Sequence, residues 1–173
     1  MRRAVVGLWA GVLACKPAPD ASVLVAPTRG QRPPSRHAAG EQVDANVPLQ
    51  QGGVISLAEL RGKVVVLEVV DAAHRDAAVE AEYAAVLARF AGRVEVVMVS
   101  LDADGWVGDV PPFVLGWDPQ GALAARLLAA SVPTVLLLDP AGRVVTQYSG
   151  ARQPNHAALI AALHEALARA APA

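Results

Sequence analysis

One cysteine, Cys15, occurs in the 173 residues. No disulfide can therefore form within the chain, and no dithiol pair is available for redox chemistry. The folded part must stand on its hydrophobic core alone. An excess of charge is lacking too. The net charge is -1, which gives no electrostatic reason to expect nucleic acid. Long apolar runs are also missing. The uncharged stretch Ala4 to Leu13 is about half of the roughly 20 residues that a spanning helix needs, and no other segment is long and apolar enough to span a bilayer. Aromatics are few, and the composition is rich in Ala and Val.

What is present begins with an ordered leader. Arg2 and Arg3 come first, then the apolar stretch, then Val12-Leu13-Ala14 directly before Cys15. This is the order of a secretory signal with a small-residue cleavage site. A cysteine at that point resembles the bacterial lipobox, in which the thiol is acylated and becomes the new N-terminus. The resemblance implies a signal peptide over 1–14, lipidation of Cys15 and a lipid-anchored location in the bacterial periplasm or cell envelope. The alternative is a buried cysteine in a short hydrophobic helix, which Lys16-Pro17-Ala18-Pro19 would continue poorly. Loss of Arg2 and Arg3 with the leader takes the net charge to about -3.

Residues 15–40 read as a tether: Pro17, Pro19, Pro27, Pro33 and Pro34 interrupt it, and no hydrophobic period is sustained. A domain follows over 41–173. Val54 to Leu57 reads as a short strand or a turn start. Val64 to Val70 is a nearly continuous β-branched run suited to a central strand buried on both faces. Val79, Tyr83, Val86, Leu87 and Phe90 fall at helical spacing and predict a helix over 75–90. Val94 to Ser100 is a second strand, Phe113 to Trp117 a short extended piece, and Gln120 to Ala130 a short helix. Thr134 to Leu138 and Val144 to Tyr148 flank the turn signal Asp139-Pro140-Ala141-Gly142 and predict a hairpin. A last helix starts at Pro154-Asn155, with Asn155 as cap. The order predicts an α/β fold with a mixed central sheet and helices on both faces.

Several pieces in this order resemble a known family. Gly62-Lys63-Val64-Val65-Val66-Leu67, the helix after it, Ser131-Val132-Pro133-Thr134 and Leu138-Asp139-Pro140-Ala141-Gly142-Arg143 are similar to the thioredoxin-like proteins of the TlpA/ResA type, over roughly 45–170. The resemblance implies a thioredoxin-like fold and a cis peptide before Pro133, facing the active site. The family's activity is dithiol-disulfide exchange at Trp-Cys-x-x-Cys. Here that stretch reads Ala73-His74-Arg75-Asp76-Ala77. His74 and Ala77 stand at the cysteine positions and Ala73 at the tryptophan. Exchange needs a thiolate and a resolving thiol, and neither is present. Two carboxylates still match the pattern, Glu68 and Glu80. In active relatives they assist proton transfer at the thiols; here they are relics or partners of His74 or Arg75. The segment between Ser100 and Phe113 is shorter than in the family, which often places a helix there.

His74 is the side chain that invites a chemical role. At a helix N-terminus its imidazole should tend to be neutral. It reads as a general base with Glu80, Asp71 or Glu68, as a contact residue in a groove, or as a solvated histidine. A metal is not expected, because no second His or Cys has ligand spacing. Residues 74 and 77 are three apart at a helix start, where side chains are neighbours, so cysteines placed there are expected to close a disulfide. His156 and His164 read as solvated, and His37 belongs to the tether. Trp117 reads as core, and Trp106 as core or groove lining. Asp102-Ala103-Asp104-Gly105 lacks the terminal glutamate of a calcium loop.

The reading is an exported, redox-inactive thioredoxin-fold protein without a cofactor. It would bind an exported protein or peptide of unknown identity through Ala73, His74, Arg75, Asp76, Val132, Pro133 and Thr134. The alternatives are a family member with non-thiol chemistry at His74, or a structural subunit of an assembly.

Overall fold

The computed structural model describes residues 36–108, 112–150 and 152–170. Cys15, the leader and the tether as far as Ser35 lie outside the described residues.

The β-branched run folds as β3 (Val64–Val70), and all of its residues are buried. It is the middle strand of a five-stranded sheet ordered β5-β4-β3-β6-β7. β4 (Val94–Ser100) lies parallel to it through the α1 crossover, with Val64 opposite Val94, and β5 (Val114–Trp117) lies parallel to β4. β6 (Thr134–Leu138) and β7 (Val144–Ser149) complete the sheet antiparallel, with Val69 facing Thr134 and Val65 facing Leu138. A small hairpin of β1 (Asn46–Pro48) and β2 (Val54–Ser56) precedes them.

Burial on both faces is why β3 carries no alternation of polar and apolar residues. Val65, Leu67 and Val69 face a layer made by β1, a 3-10 turn (Leu57–Leu60) and α2 (Ala122–Arg126). Val64, Val66 and Val70 face α1 (Ala77–Arg89) and α3 (Arg152–Arg169), where Tyr83, Leu163 and Leu167 are fully buried. Glu68 is two residues from both Val66 and Val70 along the strand, so it shares their α1/α3 side, and it is completely buried. Among the described residues no helix is long and apolar enough to cross a membrane.

Several boundaries differ from the sequence expectation. The helix predicted from residue 75 starts at Ala77, because Asp76 adopts an extended conformation and caps it, accepting from Ala78 N at 3.0 Å. The short helix predicted over 120–130 is only Ala122–Arg126. Its cap comes from a residue the sequence reading passed over: Asp118 accepts from Ala122 N (3.0 Å) and from Ala124 N (2.8 Å). The last helix begins at Arg152, so Asn155 lies inside it rather than capping it; a proline at 154 costs little there, since first-turn N–H groups have no helical partner. Residues 37–40, read as the end of the tether, are already bonded to the domain. His37 N donates to Gln147 Oε1 (2.8 Å) and Gly40 N donates to Val144 O (2.7 Å).

Candidate functional site

The C-terminal end of β3 feeds a 3-10 turn, Ala72–His74, instead of running into a helix. Asp71 caps that turn. Its Oδ1 accepts from His74 N (3.0 Å) and lies 2.6 Å from His74 Nδ1. Asp102, at the end of β4, holds the turn from the other side, with Oδ2 accepting from Ala72 N (2.8 Å) and from Ser100 Oγ (3.0 Å). The aspartates that faintly suggested a calcium loop thus include one that is a structural clamp. Among the described residues no three His, Cys, Asp or Glu side chains gather as metal ligands.

Beyond His74 the backbone is extended at Arg75 and Asp76 before α1 starts. This corrects the expectation that residues 74 and 77 are neighbours on one helix. Two extended residues put their Cα atoms roughly 10 Å apart, past the ~7 Å beyond which a disulfide cannot be bridged without backbone movement. His74 ends a separate turn rather than starting a helix, and its side chain is 48% exposed. Ala73 and Ala77 are exposed as well.

Of the two carboxylates matched by resemblance, Glu80 is committed. Arg75 Nε and Nη2 donate to its two oxygens at 2.9 and 3.0 Å. The guanidinium is held above its ordinary value, first by the hydrogen bonds with Glu80 and against the opposing effect of burial. It also lies over the Trp106 ring, 5.0 Å from its centroid. Trp106 is buried and donates Nε1–H to Gly116 O (2.9 Å). Trp117, read as core, is 37% exposed, since its position on β5 turns it outward, and it donates to Asp102 O (2.9 Å). Ala72, Arg75, Asp102, Asp104 and Trp106 line a small pocket there. His74 and Asp71 are not part of it.

On the other side of the sheet end, the Val132–Pro133 peptide is cis. Pro133 is buried and Ser131 is exposed. Thr134, fully buried, donates to Ser131 O (2.5 Å) and shares a hydrogen bond with Ser149 Oγ (2.9 Å). An apolar pocket opens beside Pro133, lined by Tyr83, Val135, Tyr148, Gly150 and His156. His156, read as solvated, is held 2.6 Å from Glu82 Oε2 and ties α3 to α1. Apart from Glu68, which is buried within β3, and Cys15, which lies outside the described residues, the predicted residues fall into two groups at one end of the sheet: the 72–80 segment with Asp102 and Trp106, and the 131–134 segment with its apolar pocket.

This strand order, with a cis proline opening β6 and a capped helix after β3, defines a thioredoxin-like fold. No family model matches the sequence and no curated protein matches it. Solved structures do. A protein assigned as thiol:disulfide interchange protein DsbE from Chlorobium tepidum is 26% identical with a TM-score of 0.62, over 76% of this chain and 99% of that one. The exposed lipoprotein thioredoxin of Streptococcus pneumoniae is 20% identical with a TM-score of 0.54, over 71% and 99%. A thiol-disulfide oxidoreductase from Bacteroides fragilis is 14% identical with a TM-score of 0.53, over 72% and 99%. The chain has the fold of the thioredoxin-like thiol-disulfide oxidoreductases and lacks their cysteine pair.

Proposed function

We propose that this protein is a lipid-anchored envelope protein that has kept the thioredoxin-like scaffold, has lost dithiol exchange, and holds an extended peptide or partner protein beside Pro133. The observation that carries the reading is the pair at 74 and 77. His74 and Ala77, which the resemblance matches to the two cysteines, carry an imidazole and a methyl group, and both are exposed; exchange needs two thiols. Peptide binding by strand addition needs no thiol, only open backbone groups and a pocket for a side chain. Among the described residues the Val132 backbone joins no backbone hydrogen bond, and the apolar pocket lies next to it. The anchored location rests on the leader before Cys15 and accords with a similar fold in an exposed lipoprotein thioredoxin.

The test is site-specific photo-crosslinking in native membranes from Ser131 and His74, both exposed, with an exposed position on α1 such as Ala85 as control. A common product from the first two and not from the third supports the groove. Labelling indifferent to position removes it.

One observation favours the alternative of non-thiol chemistry: Asp71 orients the His74 imidazole from 2.6 Å, the arrangement a general base needs. Replacing His74 with Gln separates the two readings. A binding protein keeps its crosslinked product, whereas a general-base enzyme loses turnover of any substrate found for it.

A further inference from the structure

The opposite end of the sheet carries a second cluster. The chain joins the domain at Gly40 to Asp44, where Gly40 and Val43 donate to Val144 O (2.7 Å) and Gly142 O (3.1 Å). Because β6 runs antiparallel to β3, with Leu138 opposite Val65 and Thr134 opposite Val69, this end is the one remote from Pro133. Three arginines converge on the joining segment. Arg143 Nη1 donates to Gly40 O (3.0 Å), Arg61 Nη2 to Asp44 Oδ1 (2.7 Å) and Arg126 Nη2 to Asp44 O (2.8 Å). Between Arg61 and Arg126 lies an open cleft of about 300 Å³, with Asn46, Ser56 and Ala58 on its walls.

Among the residues that line this cleft two guanidiniums meet one carboxylate, that of Asp44, and it is spent on Arg61. The nearby Glu59 carboxylate accepts from Ser56 N (3.3 Å) in a capping box. Among the described residues Arg126 forms no ion pair. Its one described bond goes to a carbonyl, which leaves most of its five donors for something else. A planar guanidinium fork beside a second guanidinium, with hydroxyl and amide groups nearby, matches the oxygens of a phosphate or similar oxyanion.

We infer that the cleft formed by Arg61, Arg126, Asn46 and Ser56 binds a phosphate-type oxyanion. This does not depend on the peptide-binding reading. The group is either a free anion or the headgroup of an anionic lipid. In the second case the Pro133 end of the sheet faces away from the bilayer, since the cleft lies at the other end.

The test uses the full chain with Cys15→Ser, titrated with inorganic phosphate while the backbone amides of Asn46 and Ala58 are followed by NMR. Saturable shifts at both are expected, weakened by added salt. Arg126→Gln should weaken binding about tenfold, the worth of one lost charge-assisted pair of bonds. Arg126→Lys, which keeps the charge and loses the fork, should fall between. The source is read by co-sedimentation with vesicles of phosphatidylglycerol in phosphatidylcholine. Retention competed by phosphate identifies a headgroup site; saturable shifts without retention identify a free oxyanion. Both support the cleft. Absence of saturable shifts overturns it, as do shifts that neither Arg126 variant alters.

Discussion

Arg75 and Glu80 are locked together by two parallel hydrogen bonds at 2.9 and 3.0 Å across the start of α1. The carboxylate that resemblance assigns to proton transfer is spent on a guanidinium, and that guanidinium covers the face of Trp106. The pair is mostly buried, with side-chain exposures of 26% and 13%, so it is worth more than a surface ion pair. Glu80→Gln should lower stability by about 1–2 kcal/mol, read from urea unfolding. In a double-mutant cycle with Arg75→Gln the double variant should lose less than the sum of the two single losses. Simple additivity would show that the two side chains act independently.

The extended backbone at Arg75 and Asp76 predicts the fate of a reintroduced cysteine pair. With His74→Cys and Ala77→Cys together, two free thiols should persist under mild oxidant in the folded protein, because the Cα separation is roughly 10 Å. Thiol counting before and after oxidation, with circular dichroism to confirm folding, checks this. Ready closure of a bond would mean that residues 75 and 76 can move into the helix.

Without cysteines in the domain, the natural chain should reduce insulin no faster than buffer. Turnover that survives exhaustive purification would contradict the proposed loss of exchange chemistry.

Asp118 caps α2 from three residues before Gly121, with both carboxylate oxygens used and the residue 5% exposed. Asp118→Ala should cost about 2 kcal/mol by leaving two amides unpaired, and Asp118→Asn about half as much, since one acceptor remains. Equal losses in thermal or urea unfolding would place the effect elsewhere.

The Glu41 carboxyl is held below its ordinary value of 4.5, chiefly by the hydrogen bond with His37 and then by Ala38 N–H. A depressed carboxyl stabilises the fold above its unfolded value, and that contribution disappears as pH falls through the lower folded value. Wild-type protein should therefore lose stability on acidification below about pH 4.5 more steeply than Glu41→Gln. Parallel acid limbs in the two melting-temperature profiles would refute the role of this pair.

Most of the architecture was legible because it rests on local pattern. A seven-residue β-branched run can be comfortable only where both faces are covered, and β3 is covered on both. Val79, Tyr83 and Val86 repeat at the helical period, and α1 buries those three. The lack of a cysteine pair and the net charge are properties of composition, and need no coordinates.

The site was less legible, because it depends on partners distant in sequence. Asp102 holds Ala72 from thirty residues away, Gln50 accepts from Trp106 N and donates to Trp106 O, and Arg126 reaches Asp44 across eighty-two. No periodicity reports such pairs. The start of α1 turned on a competition that sequence leaves open: Asp71 and Asp76 are both good caps, and the chain uses both, with a separate turn at Ala72–His74 and a helix that starts only at Ala77. The sheet and its helical layers could thus be read from the residues alone, because hydrophobic burial follows local pattern, and so could the lack of a cysteine pair, which is a matter of composition. Only the tertiary structure decided where His74 points its bonds, how Glu80 is spent and which arginines share a cleft, because hydrogen bonds and ion pairs are made between side chains that folding alone brings together.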